Sequence, residues 1–149
     1  MKKFMLITLI VSVFSCKDNS KGSPFELMSL DFNVKNSKSM LVSPSQTKEC
    51  DVITHKNVEF IVCYNEKSSS KIDYIFTNDT NYITSDNIKI GTSFLDVKKL
   101  ISKTEVSHIP GWAYEIDLPS KWIACFDYQD KIEDSSKVKF LYYRGNGTE

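Results

Sequence analysis

The chain has 149 residues, and its 19 Lys and Arg balance 19 Asp and Glu, so the formal net charge is zero. That balance leaves no basic stripe for nucleic acid, and only five glycines argue against phosphate-cradling loops. Nine Phe, seven Tyr and two Trp, with many β-branched residues, favour sheet.

Met1-Lys2-Lys3 is a short positive region, and the run from Phe4 to Phe14 is apolar apart from Thr8 and Ser12. It falls well short of the roughly 20 residues a spanning helix needs, and it has the length of a signal-peptide core. Val13-Phe14-Ser15-Cys16 follows at once. This arrangement resembles the lipobox of bacterial lipoproteins. The resemblance implies that residues 1–15 are a signal peptide removed on export. It also implies that Cys16 is the lipid attachment site, alkylated with diacylglycerol and further acylated, with palmitate as a typical chain. Several acyl chains, at about 0.8 kcal/mol per buried CH2, give stable anchoring. The protein is then expected in the bacterial cell envelope, at the outer membrane, on its periplasmic face or the cell surface. The polar, unpatterned residues 16–23 suit a flexible tether, and Lys17-Asp18 resembles the export signal of some surface lipoproteins.

Removing residues 1–15 leaves about 134, which is one domain's worth, so 24–149 is taken as a single domain. Ser23-Pro24-Phe25-Glu26 has capping-box spacing with proline at the first helical position, which predicts a short helix near 24–30. A second short helix begun at Ser39 is stopped by Pro44. A hairpin, "CDVITH" to "VEFIVCYN", turns at Lys56-Asn57, and "KIDYIF" forms the next strand. The Asp- and Asn-rich stretch 77–87 lacks the spacing and glycine of a calcium loop, and turn chemistry explains it. Ser93 is a plausible N-cap for a helix over 94–103, with Phe94, Val97, Leu100 and Ile101 on one face. After Pro110-Gly111 the period becomes two. Trp112, Tyr114 and Ile116 lead to a turn at Pro119-Ser120 and return as Trp122, Ala124 and Phe126. "VKFLYY" is the last strand.

The chain also carries a degenerate internal repeat. "NVKNSKSML" at 33–41 aligns with "NIKIGTSFL" at 87–95, "FIVCY" at 60–64 with "WIACF" at 122–126, and "IDYIF" at 72–76 with "VKFLY" at 138–142. The growing offset places insertions in loops. The expected fold class is therefore α+β: two helix-plus-three-strand repeats, about 24–80 and 86–145, forming one antiparallel sheet covered by helices on one face. This resembles the β-lactamase-inhibitor protein and the small outer-membrane lipoproteins related to the SmpA/OmlA assembly factors. The stretch Ile88 to Val97 matches their Ile-x-x-Gly-x-(Ser/Thr) lead into a helix.

With Cys16 assigned to lipid, Cys50, Cys63 and Cys125 remain for an oxidising compartment. If Lys56 and Asn57 are the central residues of a two-residue turn, Cys50 falls opposite Cys63 at a non-hydrogen-bonded position, where side chains approach most closely. A Cys50–Cys63 disulfide is the first expectation. A Cys63–Cys125 bridge competes, and three buried thiols are the third possibility.

No catalytic, cofactor or metal motif is present. His55 and His108 lack the helical spacing of a zinc pair. An enzyme using Cys125, or Asp51 with His55, would need those groups side by side. The most suggestive feature is aromatic: Trp112, Tyr114, Trp122 and Tyr128 are the candidate partner-binding residues, because Trp and Tyr dominate interface hot spots. The expected function is a lipid-anchored, non-enzymatic envelope protein that binds another protein in an assembly-factor, inhibitor or immunity-like role. A carbohydrate-binding lipoprotein that stacks sugars on these rings is the alternative.

Overall fold

A computed structural model describes residues 21–29, 38–65, 68–101, 105–129 and 131–145. Cys16, the expected signal peptide 1–15 and most of the expected tether 16–23 lie outside the described residues. In chain order the elements are β1 (Lys21–Gly22), α1 (Pro24–Met28), β2 (Lys38–Ser43), β3 (Gln46–His55), β4 (Val58–Asn65), β5 (Ser68–Thr77), β6 (Ile83–Thr84), α2 (Phe94–Lys98), β7 (Ser107–Ile109), β8 (Ala113–Asp117), β9 (Ile123–Phe126) and β10 (Phe140–Arg144).

Eight strands form one sheet in the order β2-β3-β4-β5-β10-β9-β8-β7, with every neighbouring pair antiparallel. The sheet is thus two four-stranded meanders joined where β5 meets β10, and it curls into a half-barrel. The register at the join pairs Phe76 with Tyr142 and Ile75 with Tyr143. The aligned segment 72–76 lies on β5, and 138–142 runs into the start of β10. By contrast, Ser39–Leu41 is strand in β2, whereas Ser93–Leu95 opens α2.

This overturns the expected α+β class. The protein is mostly antiparallel sheet, and its two five-residue helices are too short to cover eight strands. Each meander has one strand more than expected, and the extra strands, β2 and β7, lie at the sheet edges. Physical reasons are visible for each difference. Pro44-Ser45 turns the run Lys38–Ser43 straight back onto β3, with Leu41 opposite Thr47. At α1, Ser23 makes no side-chain cap, and Glu26 reaches Lys56 instead of closing a capping box. At α2, Ser93 does cap, accepting from the Asp96 amide at 3.2 Å. The helix nevertheless ends at Lys98, and Leu100, expected on the buried face, is exposed.

One side of the sheet, here the helix face, carries Val58, Phe60, Val62, Ile75, Ile116, Ala124, Phe126 and Leu141. Leu27 of α1, Phe94 and Val97 of α2, and Tyr82 and Ile88 from the segment around β6 pack onto it. Trp122 is sealed within this core, with ring contacts to Phe60 and Tyr82. Apolar burial at this scale is the main stabilising term.

The other side, the disulfide face, has its own buried cluster of Val42, Cys50, Cys63, Tyr74, Ala113, Cys125 and Tyr142. The Cys50–Cys63 bridge is formed. Its cause is the turn: Lys56 and Asn57 both take left-handed φ, at 49° and 61°, as a two-residue turn twisted like its strands requires. That turn sets His55 opposite Val58 and, counting back along the ladder, Cys50 opposite Cys63 with a Cα separation of 4.0 Å.

Candidate functional site

Side chains of paired residues in a ladder point to the same side of a sheet, so the register alone defines rows across the disulfide face. One row runs Val52, Ile61, Phe76, Tyr142, Ile123 and Asp117 across six strands. Another runs Cys50, Cys63, Tyr74 and Arg144, and a third joins Glu115, Cys125 and Phe140. No described helix packs over these rows, and their rings pack on one another. Tyr74 stacks on Tyr142 at 5.4 Å between centroids, Phe76 meets Phe140 at 5.2 Å, and Trp112 meets Phe140 edge-on at 5.8 Å.

The outcome is a face with two levels. Cys50–Cys63, Tyr74, Tyr142 and Cys125 are buried at the floor, while Met40, Ile61, Phe76, Trp112, Ile123 and Phe140 stand half-buried above them. Val52 is 58% exposed at the rim. A cleft of about 170 Å³ opens between β2 and the middle of the sheet, lined by Met40, Val42, Ile61, Tyr74, Phe76 and Trp112.

Polar atoms under this face are incompletely satisfied. Tyr74 Oη, Trp112 Nε1 and one Glu115 oxygen are buried without a hydrogen-bond partner, and orphaned polar atoms of this kind are costly. Arg144 Nη2 donates to Tyr142 Oη at 3.1 Å, and its guanidinium lies over that ring. Burial pushes the Tyr74 and Tyr142 hydroxyls well above the usual phenol range, and the Glu115 charge adds to both shifts. Burial likewise raises the Cys125 thiol, with Glu115 again contributing and Arg144 opposing. Both phenols are therefore neutral hydrogen-bonding groups, and Cys125 is a protonated thiol rather than a thiolate.

The four aromatic candidates from the sequence are not brought together. Trp112 belongs to the disulfide face. Tyr114 lies on the helix-face side with its ring stacked on His108 at 4.4 Å, and Tyr128 is 40% exposed beyond β9. Trp122 has no exposed surface, so it serves the core and touches no partner. Trp112 parts from Tyr114 because Gly111, at φ 74°, sits in the turn between β7 and β8 and breaks the period-two count. Asp51 and His55 are four residues apart on one strand, about 13 Å by strand rise. Asp51 neighbours Tyr64, whereas His55 faces Glu26. Within 77–87, Asp79 accepts from the Asn81 amide two residues on, which is turn chemistry, and from the Glu59 amide of β4.

Sequence reasoning missed Val52, Ile61, Tyr74, Phe76, Glu115, Phe140 and Arg144 as members of one surface. The available signal was parity. "FIVCY" and "IDYIF" carry apolar residues at both odd and even positions, which marks strands with two apolar faces.

Among the described residues, no group of three or more His, Cys, Asp or Glu side chains could hold a metal ion, and no helix is long and apolar enough to cross a membrane. No family model matches this chain, and no curated protein matches it. A solved structure is similar to it: the crystal structure of the uncharacterized protein yfeY from Escherichia coli. That protein is 18% identical, with a TM-score of 0.52, and the match covers 73% of this chain and 80% of that one. At this identity the likeness shows the fold.

Proposed function

We propose that this protein is a lipid-anchored, non-enzymatic component of the bacterial cell envelope that binds an apolar segment of another envelope protein across its disulfide face. The observation that carries the reading is the band of Met40, Ile61, Phe76, Trp112 and Phe140, half-buried above an aromatic floor with no described helix over it. Apolar surface gathered in this way is a docking feature more often than an accident of packing. The cleft beside Trp112 takes one partner side chain, and the unpartnered Trp112 Nε1 and Tyr74 Oη supply hydrogen bonds to polar groups that accompany it. The lipobox-like Val13–Cys16 supports the anchor, and the buried, protonated Cys125 suits a binding role better than nucleophilic catalysis.

The test is purification of the lipidated protein from envelopes as wild type, Trp112→Ala and Trp122→Phe. A specific envelope protein should accompany the wild type and Trp122→Phe. Trp112→Ala should weaken the association about 30-fold, the loss expected for a hot-spot residue worth about 2 kcal/mol. A protein that purifies alone, or is indifferent to Trp112→Ala, would refute the docking role; binding to a glycan array without a protein partner would favour the sugar-binding alternative. Palmitate labelling that is lost in Cys16→Ser but kept in Cys125→Ser tests the anchor.

A further inference from the structure

A second feature lies at the end of the sheet where β8 meets β9, against α1, next to the Asp117 and Arg144 ends of the disulfide-face rows. A groove of about 630 Å³ is lined by Phe25, Asp117, Leu118, Lys121, Tyr143 and Arg144, among others. Phe25 is 52% exposed and meets the edge of Tyr143 at 5.8 Å. It is a large ring at the start of α1 that the core does not use. Lys121 ends the Leu118–Lys121 turn, closed by its amide to the Leu118 carbonyl at 2.9 Å. Its φ is 73°, a conformation that glycine or asparagine adopts more easily. The turn therefore fixes the backbone of a lysine whose exposed side chain lines the groove. Arg144 spends one nitrogen on Tyr142 and keeps further N–H donors for a ligand. Asp117 is the acid on the same wall, so the cations outnumber it.

Chain length says what this groove faces. Four residues separate Cys16 from Lys21, so the five Cα-to-Cα steps span at most about 17 Å when fully extended. Lys21–Gly22 is then fixed against Ile83–Thr84, and Gly22 accepts from the Tyr82 hydroxyl at 2.7 Å. Phe25 follows three residues later, so an acylated Cys16 keeps it within about 30 Å of the anchor.

We infer that the Phe25 groove docks on the bilayer that holds Cys16, with Phe25 and Tyr143 at headgroup depth and Lys121 and Arg144 on the phosphates of anionic phospholipids. This inference rests on the lipid anchor proposed above. Aromatic rings favour the membrane–water interface, and cations beside an anchor add attraction to anionic lipid. The domain is then oriented by two attachments, and the band of Met40, Phe76, Trp112 and Phe140, outside the groove, is left open to a partner.

The experiment uses the full lipidated chain on vesicles of pure phosphatidylcholine and of equimolar phosphatidylcholine and phosphatidylglycerol, with Phe25→Cys or Ser135→Cys as the site for maleimide labelling. Cys125 is buried and Cys50 and Cys63 are bridged, so the new thiol is the reporter. On anionic vesicles Phe25→Cys should label about tenfold more slowly than on neutral ones, Ser135→Cys should label equally on both, and Lys121→Glu with Arg144→Glu should abolish the difference. Equal rates for Phe25→Cys on the two vesicle types would overturn the inference. Flotation with neutral vesicles reports the acyl anchor alone. If that fails, the anchor is refuted, and the groove then stands or falls by flotation on the anionic vesicles.

Discussion

Replacing both Cys50 and Cys63 by alanine removes the cross-link at the floor of the disulfide face. The bridge closes a segment with a sequence separation of 13, for which the loop-closure entropy denied to the unfolded chain amounts to about 3 kcal/mol. Both sulfurs are buried, at 1% and 0% exposure, so the alanines also leave unfilled space, which adds to the loss. Against this, the Lys56-Asn57 turn brings the strands together without the bridge, so about 3 kcal/mol is the central expectation rather than a minimum. For about 110 described residues the unfolding entropy near the midpoint is about 0.23 kcal/mol per degree, which makes the expected fall in Tm about 13 °C. Differential scanning calorimetry of the wild type and Cys50→Ala/Cys63→Ala measures it directly, and thiol titration under denaturing, non-reducing conditions shows that only Cys125 reacts. A double variant that melts within about 2 °C of the wild type would refute the reasoning.

Two further outcomes follow from the same structure. Cys125 should react with iodoacetamide about a hundredfold more slowly in the folded protein than after unfolding, because burial keeps its thiol protonated; equal rates would contradict the packed disulfide face. Glu26 ties α1 to the hairpin turn: the Lys56 ammonium bonded to its carboxylate, helped by His55, holds its pKa below the ordinary 4.5. A depressed pKa stabilises the fold above the ordinary value and loses that contribution as pH falls through the lowered one. Glu26→Gln should therefore melt below the wild type at neutral pH and converge with it in acid, as thermal melts across pH would show.

The parts of this fold legible in the sequence were those set by local geometry. Turn chemistry at Lys56-Asn57 placed Cys50 opposite Cys63, and the period-two runs on either side of Pro119-Ser120 read as the hairpin that β8 and β9 form. What escaped depended on contacts distant in sequence. The run Lys38–Ser43 reads as the start of a helix until β3 is there to pair with it, and Ser107–Ile109 is too short to announce β7. Helix lengths were overestimated for a related reason: past Lys98 the apolar spacing continues, but the chain leaves the core and Leu100 goes to solvent. Expecting helices over a single sheet face hid the candidate site, since nothing local groups Glu115, Arg144, Tyr74 and Phe76 on the other face. Only the full register places them under one aromatic surface beside Cys125. Trp122 shows the converse error. A tryptophan in a period-two strand is as well suited to filling a core as to gripping a partner, and here it fills the core.

The docking role of the disulfide face is tested most directly by site-specific photocrosslinking in intact cells. A photoreactive phenylalanine analogue is placed singly at Phe140, at the centre of the half-buried band, at Leu95, exposed on α2, or at Tyr128, exposed beyond β9. The account predicts one discrete crosslinked envelope protein from position 140, absent from 95 and 128 and lost when Trp112→Ala is added. Equal crosslinking from all three positions, or none from 140 in a protein that still folds and is lipidated, would contradict it.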